Sequence, residues 1–124
     1  MKIVNTTPHS VVIYDSTKTE VLFTYPSRKD DQLRARQTDM VDMGTVNEDV
    51  PLVAYPKFDS VTIPEHLRET EGLIVSSIIA PLLVGYEGMV LVPASGPEHA
   101  VRDGEGSIIG VTALYLYSGI ESIA

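Results

Sequence analysis

The chain contains no cysteine and no tryptophan, and it is poor in basic residues. Without cysteine, disulfides, thiolate metal sites, iron–sulfur clusters and cysteine nucleophiles are excluded, so packing and hydrogen bonds must hold the fold. Nine basic residues against 17 acidic ones give a net charge of −8. Binding to a nucleic-acid backbone is driven by basic patches, so we expect no nucleic acid partner.

Long hydrophobic runs are also missing. The longest apolar stretch, Leu73 to Tyr86, is broken by Ser76, Ser77, Pro81 and Gly85, whereas a membrane helix needs about 20 apolar residues. The N-terminal residues do not have the pattern of a signal peptide. We therefore expect an intracellular protein with no membrane partner.

What the chain does contain is typical of one small β domain. Its 124 residues are 44% hydrophobic and 21% charged, which predicts a single globular domain over residues 1–124. Eight prolines cut the chain into short pieces rich in Val, Ile, Thr and Tyr. We predict a mainly-β fold, a small barrel or sandwich with at most one or two short helical turns. The predicted strands are Lys2–Val4, Ser10–Asp15, Glu20–Tyr25, Leu33–Met40, Val50–Tyr55, Ser60–Ile63, Leu73–Ser77, Met89–Pro93, Ala100–Arg102 and Ile108–Tyr117.

The connections follow the same local signals. Asp15–Thr19 is a polar link that predicts a hairpin loop, and Arg102–Gly106 predicts a second turn. Ser77–Val84 contains Pro81, which favours a single helical turn or a bent strand over a full helix. Glu65–Glu71 follows a proline and predicts one helical turn at the surface.

Ile108–Tyr117 has almost no polar side chain, which suggests a central strand covered on both faces. In a chain of 124 residues both faces are hard to cover. One face would then meet a second subunit, so we expect a homo-oligomer. The alternative is a strand buried in the single core.

Familiar catalytic patterns are not found. No two of the three histidines have the spacing of a helical metal site, so we predict no metal ligands. The G-x-S-x-G elbow, the P-loop and other glycine-rich phosphate motifs are absent. We predict no catalytic residues and no cofactor, and a binding protein is favoured over an enzyme.

His9 and two arginines are the first candidate ligand-binding residues. His9 follows Thr7-Pro8, whose restricted backbone holds it in a defined direction; alternatively, Asn5 and Thr7 close a turn there and His9 caps the next strand through its backbone. Arg34 and Arg36 lie two apart, on one face of a predicted strand, where paired guanidinium groups suit phosphate or carboxylate. The alternative is a solvated edge strand whose charge discourages aggregation.

Ser76, Arg102 and Asp103 complete the predicted site. Ser76 and Ser77 interrupt an apolar run, and a buried hydroxyl needs a hydrogen-bond partner, either backbone or ligand. Arg102 and Asp103 either form a local ion pair or present the guanidinium to a pocket. Residues 1–62 carry 7 basic and 9 acidic residues, and residues 63–124 carry 2 and 8, so an anion would be received mainly by the first half.

Several motifs occur in an order that resembles a known family. They are N-x-T-P-H-x-V near the start, then R-A-R, V-P-L-V-A-Y-P-K-F, I-P-E, I-V-S-S, and V-R-D-G-E-G-S-I-I-G-V near the end. This order resembles a family of small proteins encoded by bacteriophages and by actinobacterial and other prokaryotic genomes. The likeness covers about residues 3 to 116, and residues 28–49 depart from it. Its clearest positions are Asn5, Thr7, Pro8, His9, Val75, Ser76, Arg102, Asp103, Gly106 and Gly110.

The resemblance implies a viral or mobile-element setting rather than a reaction. In that setting we expect a protein of the host cytoplasm that sequesters a small anionic, nucleotide-derived immune signal through His9, Arg34, Arg36, Ser76, Arg102 and Asp103. The alternative is a component of the virion, or another interaction module, that uses Ile108–Tyr117 as an interface. A hydrolase of such signals is a third hypothesis, and it requires turnover that depends on His9.

Overall fold

The computed structural model describes residues 2–37, 41–55, 57–83 and 85–119. Short strands and three single 3-10 turns make up the regular structure of these residues. The strands are β1 (Ile3–Asn5), β2 (Val11–Tyr14), β3 (Val21–Tyr25), β4 (Ala35–Gln37), β5 (Asp42–Val46), β6 (Val50–Val53), β7 (Phe58–Val61), β8 (Gly72–Ile74), β9 (Met89–Pro93), β10 (Ala100–Arg102), β11 (Ile108–Val111) and β12 (Leu114–Ser118). The 3-10 turns are Lys29–Asp31, Glu65–Leu67 and Ala80–Leu82.

Two four-stranded sheets form the body of the molecule. The first, here called the central sheet, has the order β1-β8-β9-β12, with parallel pairing of β1, β8 and β9. The second, called the β2 sheet, has the order β10-β11-β2-β3, and its one parallel pair is β11 with β2. A mainly-β domain is therefore confirmed, and in the described residues the sheets form layers without closing into a barrel.

Both faces of the central sheet are covered, because successive side chains of a strand point to opposite sides. Leu73 and Val75 belong to a core cluster with Leu33, Ile63 and Leu67. Ile74, between them in the chain, belongs to a second cluster that includes Val11 and Val111 of the β2 sheet. All three residues of β8 are buried, as expected of a short parallel strand in the middle of a layered core.

Two further pairs of strands extend from this body. β4 pairs with β7, and Ala35 and Val61 of this pair pack against the first core cluster. β5 pairs with β6 in an antiparallel hairpin whose nine strand residues are all exposed. We call the hairpin segment Val41–Tyr55 the arm.

The predicted local turns are confirmed. β2 and β3 form an antiparallel hairpin around Asp15, whose carboxylate accepts hydrogen bonds from the backbone amides of Thr19 and Glu20. The bond from the Thr19 amide, the largest cause, and the Thr17 hydroxyl lower the pKa of Asp15, since both stabilise the charged form. The predicted helical turns are also present, as the 3-10 turns Glu65–Leu67 and Ala80–Leu82.

The prediction of one strand over Ile108–Tyr117 is wrong. The run divides at Thr112 and Ala113, so that β11 lies in the β2 sheet and β12 in the central sheet. Thr112 donates its amide to the His99 carbonyl, and the Ala113 carbonyl accepts from Ala94. A continuous apolar sequence is expected both for one strand that is buried on its two faces and for two successive strands that belong to different sheets. The sequence pattern alone does not distinguish these two cases.

The middle of the chain also differs from the prediction. Within predicted strand Leu33–Met40, the structure has only Ala35–Gln37, and residues 38–40 lie outside the described residues. Strand Asp42–Val46 was not predicted, because Asp42 and Gly44 are poor strand formers and hide its apolar residues. β5 forms because it pairs with β6, although the strand propensity of its own residues is low.

Candidate functional site

The Asn5–His9 segment forms a tight loop between β1 and β2. Asn5 is 2% exposed, and its side-chain oxygen accepts from the Thr7 amide at 2.9 Å and the Thr7 hydroxyl at 2.7 Å. Its side-chain nitrogen donates to the His9 carbonyl at 2.8 Å and the Tyr25 carbonyl at 3.0 Å. The turn-closing interpretation is therefore confirmed for Asn5 and Thr7, while the His9 side chain is exposed.

Ser76 closes a backbone turn after β8. Its hydroxyl accepts a hydrogen bond from the Ile79 amide at 3.3 Å, and its carbonyl accepts from Ile79 and Ala80. The expectation of a specific partner for one of the two serines is confirmed, and that partner is backbone. Ser77 is exposed.

Arg102 and Asp103 each serve the turn between β10 and β11. The Arg102 guanidinium donates to the Gly106 carbonyl at 2.6 Å. The Asp103 carboxylate accepts from the amides of Glu105 and Ser107 at 2.9 and 3.0 Å. Gly106 has a φ of 87°, which a glycine adopts without strain.

Arg34 and Arg36 are exposed, and Ala35 between them packs against the core, as the alternation predicted. Arg36 lies in β4 opposite Ser60. Arg34 precedes the strand and lines a surface cavity of about 280 Å³ with Pro8, Gln32 and Leu33. The Leu33 amide donates to the Thr6 carbonyl, and this bond brings the arginine segment against the loop that carries His9.

The topology places most of the predicted site residues at one end of the molecule. β2 and β11 are parallel neighbours, so they begin at the same end of the β2 sheet. β10 is antiparallel to β11, and its last residue, Arg102, lies opposite Ile108 at the start of β11. His9, just before β2, and Arg102 therefore lie at the same end of this sheet. The short Thr6–Ser10 loop joins the end of β1 to the start of β2, so β1 ends at this same end of the molecule. β8 is parallel to β1 and ends there too, and Ser76 follows it two residues later. A ligand role for these residues remains a prediction.

A polar groove that sequence reasoning did not single out lies between β1 and the end of β3. It encloses about 340 Å³, and Lys2, Asn5, Tyr25, Arg28 and Asp31 are among its lining residues. A second, more open cavity shares Arg28 and Asp31 and adds Lys29, Asp30 and His66. We call the two together the β1–β3 groove. The sequence signal for it was the basic Ser27–Arg36 segment, but only the fold shows that Arg28 and Lys2 line the same cavity.

Charges in and beside the β1–β3 groove are partly paired. The Asp31 carboxylate lies 2.9 Å from Nε2 of His66. Glu71 accepts a hydrogen bond from the Lys2 backbone amide, and this bond lowers the pKa of the Glu71 carboxyl, with the Lys2 charge adding a smaller effect. Asp31 and Glu71 are so engaged, and the exposed charged residues at the rim are Arg28, Lys29 and Asp30.

The arm presents apolar side chains on both of its faces. Val46 pairs with Val50, and Leu52 follows two residues later, so these three share one face. Val53 lies on the opposite face with Pro51. Large apolar residues exposed within the arm are Val41, Met43, Val46, Val50, Leu52, Val53 and Tyr55. Contiguous apolar surface of this kind marks sites of protein association.

Neither a clustered metal site nor a membrane-spanning helix is found in the part of the chain that the structure describes. No group of three or more His, Cys, Asp or Glu side chains there is arranged to hold a metal ion. No helix within the same residues is long and apolar enough to cross a membrane.

Comparison of the chain with protein-family models, with curated proteins and with solved structures finds no match.

Proposed function

We propose that the protein is a non-catalytic assembly module that builds homo-oligomers through its arm. The observation that carries this proposal is the two-faced apolar hairpin β5–β6, all of whose strand residues are exposed. In the bacteriophage setting that the sequence resemblance implies, such an oligomer serves as a component of the virion.

The physical argument concerns the stability of an isolated hairpin. Two strands alone are marginally stable in water, and a hairpin normally gains stability by covering one face. Here Val46, Val50 and Leu52 lie exposed on one face, and Val53 lies exposed on the other. Burying each such side chain contributes about 1.5–3 kcal/mol, so a surface that covers the arm has a large driving force available.

Replacing one face of the arm is expected to weaken self-association. In the triple variant Val46→Thr, Val50→Thr and Leu52→Gln, the two threonines keep the β-branched shape that favours a strand, while apolar contact is lost. We expect the dissociation constant of the oligomer to rise by at least about 100-fold, the equivalent of roughly 2.7 kcal/mol. Sedimentation velocity over a range of protein concentrations measures this change.

A matched control is Ile78→Gln, because Ile78 is 51% exposed but lies outside the arm. We expect this control to associate like the wild-type chain. A wild-type chain that stays monomeric up to about 100 μM, a concentration corresponding to roughly 5.5 kcal/mol, contradicts the proposal. Equal association of the wild type and the triple variant also contradicts it.

A second candidate function is the binding of a small anionic, nucleotide-derived signal, as the sequence resemblance suggests for a protein directed against host defence. What supports it is the common end of the molecule at which His9, Arg34 and Arg102 lie, outside the arm. Exposed guanidinium groups suit phosphate oxygens, which accept paired hydrogen bonds.

Calorimetric titration with cyclic dinucleotides and with ADP-ribose tests this second function. We expect binding tighter than about 1 mM, which corresponds to roughly 4 kcal/mol, and an affinity at least tenfold weaker in the variant Arg34→Ala with His9→Ala. Arg68→Ala is the matched control, since Arg68 is exposed beside Glu65 on another turn. Absence of binding by the wild type at millimolar ligand contradicts this function and leaves the assembly proposal intact.

A further inference from the structure

We propose that the arm of one copy docks along the outer edge of β3 and into the β1–β3 groove of a second copy, so that copies join head to tail. This inference rests on the proposed function, since it identifies the surface that receives the arm. The partner is a second copy of this chain.

The receiving surface is the open side of the layered body. β3 is the last strand of the β2 sheet and β1 is the last strand of the central sheet in the described residues. The two strands are joined by a hydrogen bond from the Asn5 side chain to the Tyr25 carbonyl. The outer edge of β3 before Tyr25 therefore offers backbone groups to another strand, the arrangement used in strand addition to a sheet.

β3 also carries the apolar surface that such docking requires. Leu22 is 65% exposed and Phe23 is 56% exposed. Phe23 pairs with Ile13, so it lies on the face of the β2 sheet that is turned toward the core. The centroids of its ring and of the Tyr25 ring are 4.6 Å apart, and the two rings are tilted by 58°. Phe23 thus extends the core face beyond the area that the central sheet covers. Apolar side chains of an added strand would continue that face.

The strands of the arm are similar in length to β3. The five residues of β3 span about 17 Å, at about 3.3 Å per residue. β5 also has five residues, and β6 has four. A strand of the arm laid beside β3 with its tip toward Tyr25 would place the tip in the β1–β3 groove, because Tyr25, Pro26 and Arg28 line that groove.

Charge complementarity favours the same placement. The arm's turn carries Glu48 and Asp49, next to Asn47. Three cations, Lys2, Arg28 and Lys29, line the groove. They outnumber its two carboxylates, Asp30 and Asp31, and Asp31 is engaged by His66. Two copies of a chain with a net charge of −8 repel one another over most of their surfaces. Complementary local charge fixes where an acidic tip can approach.

The arm and the receiving surface are different parts of the chain. Each copy therefore docks its own arm on one neighbour and binds the arm of another neighbour. A contact of this heterologous kind closes into a ring or continues as a fibre, according to the rotation between copies. A symmetric contact between two arms would instead stop at a dimer.

Charge reversal on the two sides tests the inference. The arm variant is Glu48→Lys with Asp49→Lys, and the groove variant is Arg28→Glu with Lys29→Glu. We expect each alone to associate at least about tenfold more weakly than the wild-type chain at low salt, since like charges then meet in every contact. Mixed one to one, the two are expected to regain assembly, because each arm then finds a groove of opposite charge. Sedimentation velocity of the separate and mixed variants gives the readout.

The controls separate this inference from the proposed function. Lys18→Glu with Arg68→Glu makes the same charge change away from the groove lining and is expected to associate like the wild type, apart from the shared change in net charge. If the wild type assembles but the groove variant assembles equally well, arm–groove docking is overturned and assembly through the arm stands. Two weakened variants that do not recover on mixing also overturn the docking. A monomeric wild type overturns both.

Discussion

Replacing Asn5 with alanine is expected to lower the free energy of unfolding by about 3 kcal/mol. The Asn5 side chain makes four hydrogen bonds and is 2% exposed. Its removal leaves the Thr7 amide and the Tyr25 carbonyl without that partner. Each buried polar group left without a partner costs about 1–3 kcal/mol. The loop joining β1 to β2 would also lose one of its bonds to the end of β3, while the bond from the Ser27 hydroxyl to the Thr7 carbonyl remains.

Urea denaturation of the Asn5→Ala variant measures this effect, at a protein concentration low enough that assembly does not contribute. Thr7→Ser is the matched control in the same loop, because serine keeps the hydroxyl that donates to Asn5 and to the His9 carbonyl. We expect that control to lose less than about 1 kcal/mol. A loss below 1 kcal/mol in Asn5→Ala would show that the four hydrogen bonds do not stabilise the loop.

Leu73→Ala is expected to destabilise the chain by about 3–4 kcal/mol, the range typical of a leucine truncated in a close-packed core. Leu73 is 0% exposed and lies in β8, between the parallel neighbours β1 and β9. It packs in the core cluster with Leu67 and Val75. Alanine would leave a cavity there, and β8 itself is held by pairing on both sides.

Leu22→Ala is the matched control, with the same chemical change at a residue that is 65% exposed in β3. We expect it to change the free energy of unfolding by less than about 0.5 kcal/mol. Chemical denaturation of both variants against the wild type gives the comparison. Similar losses in the two variants would mean that the central sheet is not the core of the folded chain.

Local sequence signals were enough to predict the fold class and its turns. The Asp15–Thr19 loop and the Arg102–Gly106 turn carry short polar side chains and glycines that bond to nearby backbone, and both turns are present. Such bonds join residues close in the chain, so they can be read from spacing alone. The alternation around Ala35 was equally readable, because it depends only on the period of a strand.

Sheet assignment was not readable in the same way. Ile108–Tyr117 looks like one strand because apolar and β-branched residues continue through it, yet β11 and β12 belong to different sheets. At the bend, the Thr112 amide donates to the His99 carbonyl and the Ala113 carbonyl accepts from the Ala94 amide. Both partners lie more than ten residues earlier in the chain. Strand pairing is a long-range property that a local pattern does not carry.

The candidate sites show the same division. Sequence reasoning expected a hydrogen-bond partner for Ser76, and for Arg102 and Asp103 either a local ion pair or a guanidinium that faces a pocket. In the structure all three side chains bond to backbone groups of the adjacent turns. It did not find the β1–β3 groove, because Lys2 and Arg28 are far apart in the chain and meet only through the packing of β1 against the end of β3.

By itself, the sequence determined that this is a strand-rich, acidic domain without cysteine chemistry, with polar turns at definite places, because composition and short-range bonding decide those properties. The tertiary structure alone decided which apolar residues are covered. Leu73 and Leu52 look alike in the sequence, but the first lies between two parallel strands and the second lies on an exposed hairpin. Burial depends on which distant strands pack together, so only the folded chain shows that the apolar side chains of the arm are exposed.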